Sequence, residues 1–253
     1  MPAERHLGAL ELDFLWEALG AGELPYPLQV RSHGATMDER AALRRQVHQD
    51  LIAGGLLDHG GRLDPELESW LGTLANADLS IDAVFLPELD DAPVLALAAT
   101  GRGGAVLAVQ RPDGLRLRAI PRDGLVSAVV ALLPAAARGT EPSVSVPAEE
   151  LTALVPAGAE RRTSSLETRK ALDRLAKRPN QRGGQIGVNS RTDVRGRRRA
   201  PVLAWFDNDS GRYLSQSRGS GDGRDWVTIA PADAATLRQR IGEMVTSVTA
   251  DGR

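Results

Sequence analysis

The stretch "PVLALAATGRGGAVLAVQRPDGLRLRAI", residues 93 to 120, decides the fold. Three short runs rich in Val, Leu and Ala are separated by "GRG" and "RPD", which is the composition of tight hairpin turns. A fourth run, "SIDAVFL" (80 to 86), precedes them across the turn-like "PELDDA". These four segments predict an antiparallel four-stranded meander. It feeds "PRDGLVSAVVALL" (121 to 133), read as a helix burying Leu125, Val129 and Leu132 or Leu133 and ended by Pro134.

The same order recurs downstream. "GQIGV", "PVLAWFD", "GRYLSQ" and "DWVTIA" are again four strand-like runs, and "PADAATLRQRIGEMV" is again a closing helix. Pro93-Val94-Leu95-Ala96 is echoed by Pro201-Val202-Leu203-Ala204, and "IPRDG" at 120 by "IAPADA" at 229. The offsets, 108 residues from Pro93 to Pro201 and 110 from Pro121 to Pro231, nearly agree, as a duplicated unit requires. Two units that each expose a sheet face or edge are expected to associate. The expectation is a single α+β domain over 1–253, with pseudo-repeat halves 1–140 and 141–253. Its quasi-two-fold central antiparallel sheet would be built from two four-stranded units flanked by helical bundles.

Helices surround the strands. Leu12, Leu15, Trp16 and Leu19 recur at helical spacing before Pro25 and Pro27, which are read as the stop. A second helix is expected from Met37 to Ala53, with Leu43, Val47, Leu51 and Ile52 inward and Gly54-Gly55 as its end. A third is expected from Pro65 to about Ala77, capped by Asp64. The second half opens with "PAEELTALV" (147 to 155) after the Pro-containing connector "AAARGTEPSVSV". It continues with "SSLETRKALDRLAKR", where Ser164 and Glu167 have capping-box spacing.

Composition narrows the function classes. The chain is 253 residues long, with 42% hydrophobic, 25% charged and 4% aromatic residues and no cysteine. That is an ordinary globular balance without disulfides, thiolate metal sites or a cysteine nucleophile. Charged residues interrupt the N-terminal apolar residues, and no run approaches the ~20 apolar residues of a spanning helix. A soluble, cytoplasmic protein is expected.

The net charge of −2 hides a bias: residues 160 to 200 hold 13 Lys/Arg against 4 Asp/Glu. The run "RTDVRGRRRA" (191 to 200) is the strongest case for nucleic acid, but it carries no aromatic residue for base stacking. Its plainer reading is a solvated inter-strand loop that keeps an edge from self-pairing.

Other motifs carry little chemistry. "SRGSGDGR" joins strand to strand and lacks the Lys-Ser/Thr ending of a phosphate loop, so the Gly-rich 217–224 segment reads as a long hairpin loop. "GSG" lacks the flanks and following helix of a nucleophile elbow. His6, His33, His48 and His59 show no metal-ligand spacing. Asp90-Asp91 falls in a turn with no partner for acid-base work. No catalytic residue, metal or cofactor is expected. Trp205, Phe206, Tyr213 and Trp226 are four of nine aromatic residues, clustered on adjacent strands; Trp205 and Phe206 must face opposite sides.

With "LDFLWEALGAGELPYPL" (12 to 28), "GLLD" (55 to 58), "RLDPELESWLGTLA" (62 to 75) and above all "WFDNDSGRYLSQSRGSGDGRDWVTIAPADAATLRQRI" (205 to 241) in view, the chain resembles the EspG family over nearly its full length. These are cytosolic chaperones of actinobacterial type VII (ESX) secretion. The resemblance implies a non-enzymatic protein that grips the apolar helical tip of the PPE partner in a PE–PPE-type substrate pair. The groove would lie between the central sheet and the C-terminal helical bundle. Carried onto this sequence, it would use Trp205, Leu214, Trp226 and Val227 from the strands. Leu237, Ile241, Met244 and Val245 would come from the last helix. The chain departs from mycobacterial members in being shorter, with a compact first meander and an Arg-rich 191–199 insert, which points to a shorter or different client. The alternative, from another class, is a nucleic-acid-associated regulatory protein using the basic segment 160–200; a third is an enzyme with a carboxylate pair.

Overall fold

A computed structural model describes residues 4–149, 166–192, 196–219 and 224–250. The Ser164 cap, most of "PAEELTALV", residues 193–195 of the Arg-rich run and the tip of the Gly-rich loop (220–223) lie outside the described residues. The fold is α+β, a large antiparallel sheet with flanking helices. The chain divides into two compact units. The first holds residues 1–83, 92–129 and 190–198; the second holds 84–91, 130–189 and 199–253.

In the first unit, β1 (Glu4–Leu7) precedes three helices, α1 (Ala9–Leu19), α2 (Met37–Ala53) and α3 (Pro65–Ala75). Strands β2 (Leu79–Leu86), β3 (Val94–Gly101), β4 (Gly104–Arg111) and β5 (Gly114–Ala119) then form the expected meander. The strand order is β1-β5-β4-β3-β2, so β1 adds a fifth strand, pairing Leu7 with Leu115. Leu97, Ala99, Val106, Ala108, Leu115 and Leu117 share one face. They join Leu12, Leu15, Trp16, Leu67, Trp70, Leu71 and Leu74 of the helices in one buried cluster. β3 is buried on both faces, which explains its continuous apolar run. The segment read as a helix over 121–133 is helical only as α4 (Leu125–Val130). α1 is stopped not by Pro25 and Pro27 but by Gly20, whose left-handed φ of 60° turns the chain out of the helix.

The second unit repeats that plan. β6 (Val144–Pro147) precedes α5 (Leu166–Ala176), followed by β7 (Arg182–Thr192), β8 (Gly196–Arg199), β9 (Leu203–Asn208), β10 (Gly211–Gly219), β11 (Asp225–Pro231) and α6 (Ala234–Thr249). The order is β7-β9-β10-β11-β6, with β8 paired to β7 off this path. Among the described residues each unit therefore has five strands along this order rather than four, because a leading strand returns to the outer edge of the meander, while β8 lies off that order and falls mostly in the first unit. β6 lies in what the sequence presented as a connector, and β8 in what it presented as a loop. Each of β2 and β7 runs from one unit into the other, since residues 84–91 belong to the second and 190–198 to the first.

Candidate functional site

The second unit's sheet and α6 carry the eight residues that the sequence put forward for partner binding. Register assigns their faces. Leu214 pairs with Trp205 and Arg218 with Trp226, so Trp205, Leu214 and Trp226 lie on one face. Val227 is Trp226's neighbour and must point to the other face, where it pairs with Val146. That opposite face is covered by α5, whose Ala171 and Leu172 pack on Val144 and Val146. The four strand candidates therefore do not form one surface.

Burial divides the set further. Trp205 (2% exposed), Leu214, Leu237, Ile241 and Met244 are interior. Trp226, Val227 and Val245 are half-buried and keep accessible surface. On α6 the buried line is Leu237, Ile241, Met244 and Val248. Val245 stands beside that line, and the helix continues to Thr249. Val248 follows Met244 by four residues, so helical spacing could have found it had the helix been carried one turn further.

Trp205 is fixed by its surroundings. Its ring meets Phe85 at 6.1 Å and 52°, and the Arg212 guanidinium lies 4.6 Å above it. Arg212 donates from Nε and Nη2 to the two oxygens of Asp207, both at 2.7 Å, and from Nη2 to the Pro134 carbonyl at 2.7 Å. Arg182 approaches the same carboxylate at 2.9 Å. Asp207 and Arg212 are 1% and 3% exposed, so this is an interior charge cluster in which every charge has a partner.

On the other face Phe206 stacks on Tyr213 at 5.4 Å. The Tyr213 hydroxyl accepts from the Glu141 N–H at 3.0 Å and pairs with Ser210 Oγ at 2.8 Å. Gly139 passes so close to this ring that an added Cβ would lie 2.4 Å from it, which only glycine permits.

α6 starts on Asp233, whose carboxylate accepts from the Thr236 N–H at 2.8 Å; that bond holds the carboxyl below its ordinary range. Glu243 is also held low, first by its hydrogen bond from Arg240, then by Gln239, with a contribution from the charge of Arg218 on β10. Arg218 belongs to the Trp226 face, so half-exposed Trp226 is flanked by a charged rim rather than by more apolar surface. Among the described residues no group of three or more His, Cys, Asp or Glu side chains could hold a metal. No helix is long and apolar enough to cross a membrane among those residues.

The first unit offers a different concavity. Leu15, Ala18 and Leu19 of α1 and Leu57 and Leu63 line an open depression of about 900 Å³ beside α3. Elsewhere in this unit, His33 is engaged with Asp13 through its backbone N–H at 2.7 Å and its ring Nδ1 at 3.1 Å.

The EspG family profile matches residues 9–243. The ESX-1 secretion-associated protein EspG1 of Mycobacterium marinum is 32% identical over 114 residues, 44% of this chain and 40% of that protein. EspG1 of Mycolicibacterium smegmatis is 27% identical over 119 residues, 46% of this chain and 42% of its own length. The matched region thus spans less than half of these curated relatives. In structure, the chain superposes on the Mycobacterium tuberculosis type VII secretion system chaperone EspG5, solved in complex with a PE25-PPE41 dimer. The TM-score is 0.69 at 14% identity, covering 99% of this chain and 98% of that one. The profile match alone covers well over half of the sequence, and the chain belongs to the EspG family.

Proposed function

We propose that this chain is a non-enzymatic cytoplasmic chaperone of a type VII (ESX) secretion system that binds the apolar helical tip of a PE–PPE-type substrate pair. The observation that carries the reading is the end-to-end likeness to EspG5, a chaperone solved with a PE-PPE dimer bound. The physical logic is that an apolar helical tip left in water is an aggregation hazard, which an amphipathic surface can cover until export. On this chain the contact is made by the accessible residues on the α6 side of the second unit, Trp226 and Val245; Val227 faces the other way, on the side that α5 covers, and lies outside it. Trp205, Leu214, Leu237, Ile241 and Met244 support that surface from beneath. No metal or cofactor enters this function.

The test is cytoplasmic co-expression of the tagged chain with its candidate PE–PPE-type pair, followed by size-exclusion chromatography. A ternary complex is expected, and Trp226→Asp is expected to abolish it while leaving the circular dichroism of the free chain unchanged. Failure of the native chain to form a complex with any candidate pair overturns the reading.

A further inference from the structure

Four arginines of the first unit converge without acidic partners. Arg102 lies in the turn between β3 and β4, and Arg122 donates to the Arg102 carbonyl at 3.1 Å. Arg102 and Arg191 line one polar cavity of about 510 Å³ together with Ser69, Thr73, Asn76 and Asp78. The Arg191 N–H donates to the Asp78 carbonyl at 2.8 Å, which fixes β7 there. Further along, the Ala200 N–H donates to the Val188 carbonyl at 3.0 Å. Carried back along the β7-β8 hairpin, that register puts Arg197 across from Arg191. Two like charges directly opposed on a ribbon destabilise it unless something anionic lies over them. Arg197 is exposed along with the rest of β8. Among the described residues, Arg102, Arg122, Arg191 and Arg197 have no ion-pair partner.

We propose that this arginine cluster, with the cavity at the C-terminal end of α3, is a binding site for an acidic peptide segment of a partner protein. The cavity chooses among anions. Its floor presents acceptors as well as cations: the Thr73 hydroxyl donates to the Ser69 carbonyl, Ser69 Oγ donates to the Gly103 carbonyl, and Asp78 adds a carboxylate. A nucleic-acid strand needs aromatic platforms for its bases and finds no ring in the lining. A peptide bearing Glu or Asp supplies both kinds of group: carboxylates for the guanidinium forks, and backbone N–H groups for the acceptors of the lining, Asp78 among them. This site lies in the first unit and is independent of the chaperone surface proposed above.

The test is fluorescence anisotropy of the full chain with three labelled probes at low salt: a Glu/Gly-repeat peptide, a Lys/Gly-repeat peptide of the same length, and an oligothymidylate. The Glu/Gly peptide is expected to bind and the Lys/Gly peptide not to. Arg102→Ala combined with Arg191→Ala, or Arg197→Ala alone, is expected to weaken binding by about tenfold or more, as loss of charge-assisted hydrogen bonds requires. Arg238→Ala on α6 matches the charge change of Arg197→Ala and, as its control, is expected to leave binding unaltered. The proposal is overturned if the acidic peptide does not bind, if Arg238→Ala weakens it as much as the site variants, or if oligothymidylate binds more tightly and loses that binding in the same variants.

Discussion

Asp207 and Arg212 show what single residues contribute that a sequence pattern conceals. Both are charged and both lie on strands whose alternation reads as ordinary, yet they are among the most buried polar side chains described. Their pairing across the β9-β10 hairpin, register partner to register partner, makes this possible. A charge loses its hydration on burial and is tolerated only when a partner replaces it. Asp207→Ala would strand Arg212 and Arg182 and is expected to cost about 3–5 kcal/mol in urea unfolding. Replacing Asp207 and Arg212 together by Leu and Met should recover much of that loss. If the single variant proves as stable as the parent, the cluster does not hold this sheet together. Nothing in "WFDNDSGRY" announces the burial, because the pattern gives the face of a residue but not what covers that face.

Elements were legible where a local rule dominated. Asp64 followed by Pro65 gave the start of α3, and Gly54-Gly55 the end of α2, because caps and breakers act within one turn. β1, β6 and β8 were not legible. "ERHL" is short and half charged, "VSVP" ends on a proline in a connector, and "GRRR" reads as solvated chain, so all three are strands only by virtue of the neighbour that pairs with them.

The α1-α2 pair is held by a similar tertiary device. Asp13 of α1 receives both guanidinium nitrogens of Arg40 at 3.1 Å and the His33 N–H at 2.7 Å, and Arg40 also binds Glu17 at 2.6 Å. Burial raises the Asp13 carboxyl, but Arg40 and His33 outweigh it and hold the folded value below the ordinary 3.8. A carboxyl depressed on folding contributes stability that is fully present above its unfolded value and is lost as pH falls through the folded one. Asp13→Asn is therefore expected to be less stable by about 1–3 kcal/mol at pH 7. It should also lose less stability than the parent as pH falls below about 4, as followed by urea midpoints across that range. Equal midpoint shifts in parent and variant would show that Asp13 is not the titrating group. On α6 the expectation is a contrast between neighbours. Ile241→Asp buries a charge at a fully enclosed position and should unfold the chain. Val245→Asp, at a half-exposed one, should leave circular dichroism unchanged and weaken client binding. Reversal of that pattern would move the contact surface off this helix.

For the molecule as a whole, the described elements of each half run in one order: a leading strand, helix, the run of strands and a closing helix. The compact units nevertheless do not follow the halves. Residues 84–91 of the first half belong to the second unit, and residues 190–198 of the second half belong to the first. The exchange has particular consequences. Phe85, which packs on Trp205, comes from before residue 140, as do the Pro134 carbonyl that Arg212 donates to and Gly139, whose N–H donates to the Arg212 carbonyl at 3.0 Å. In return, Arg191 N–H supplies the bond to the Asp78 carbonyl. A chain cut after residue 140 therefore deprives the 141–253 piece of a ring against its central tryptophan and of a partner for its buried guanidinium. The 1–140 piece loses the strand end beside Asp78. Expressed separately, each fragment is expected to lack the near-ultraviolet dichroism of fixed aromatic rings and to be rapidly proteolysed; co-expressed, the two should recover both properties together. Independent folding of either fragment, with native near-ultraviolet signal and protease resistance, would mean that the exchanged strand ends are dispensable and that the repeat halves are themselves the folding units.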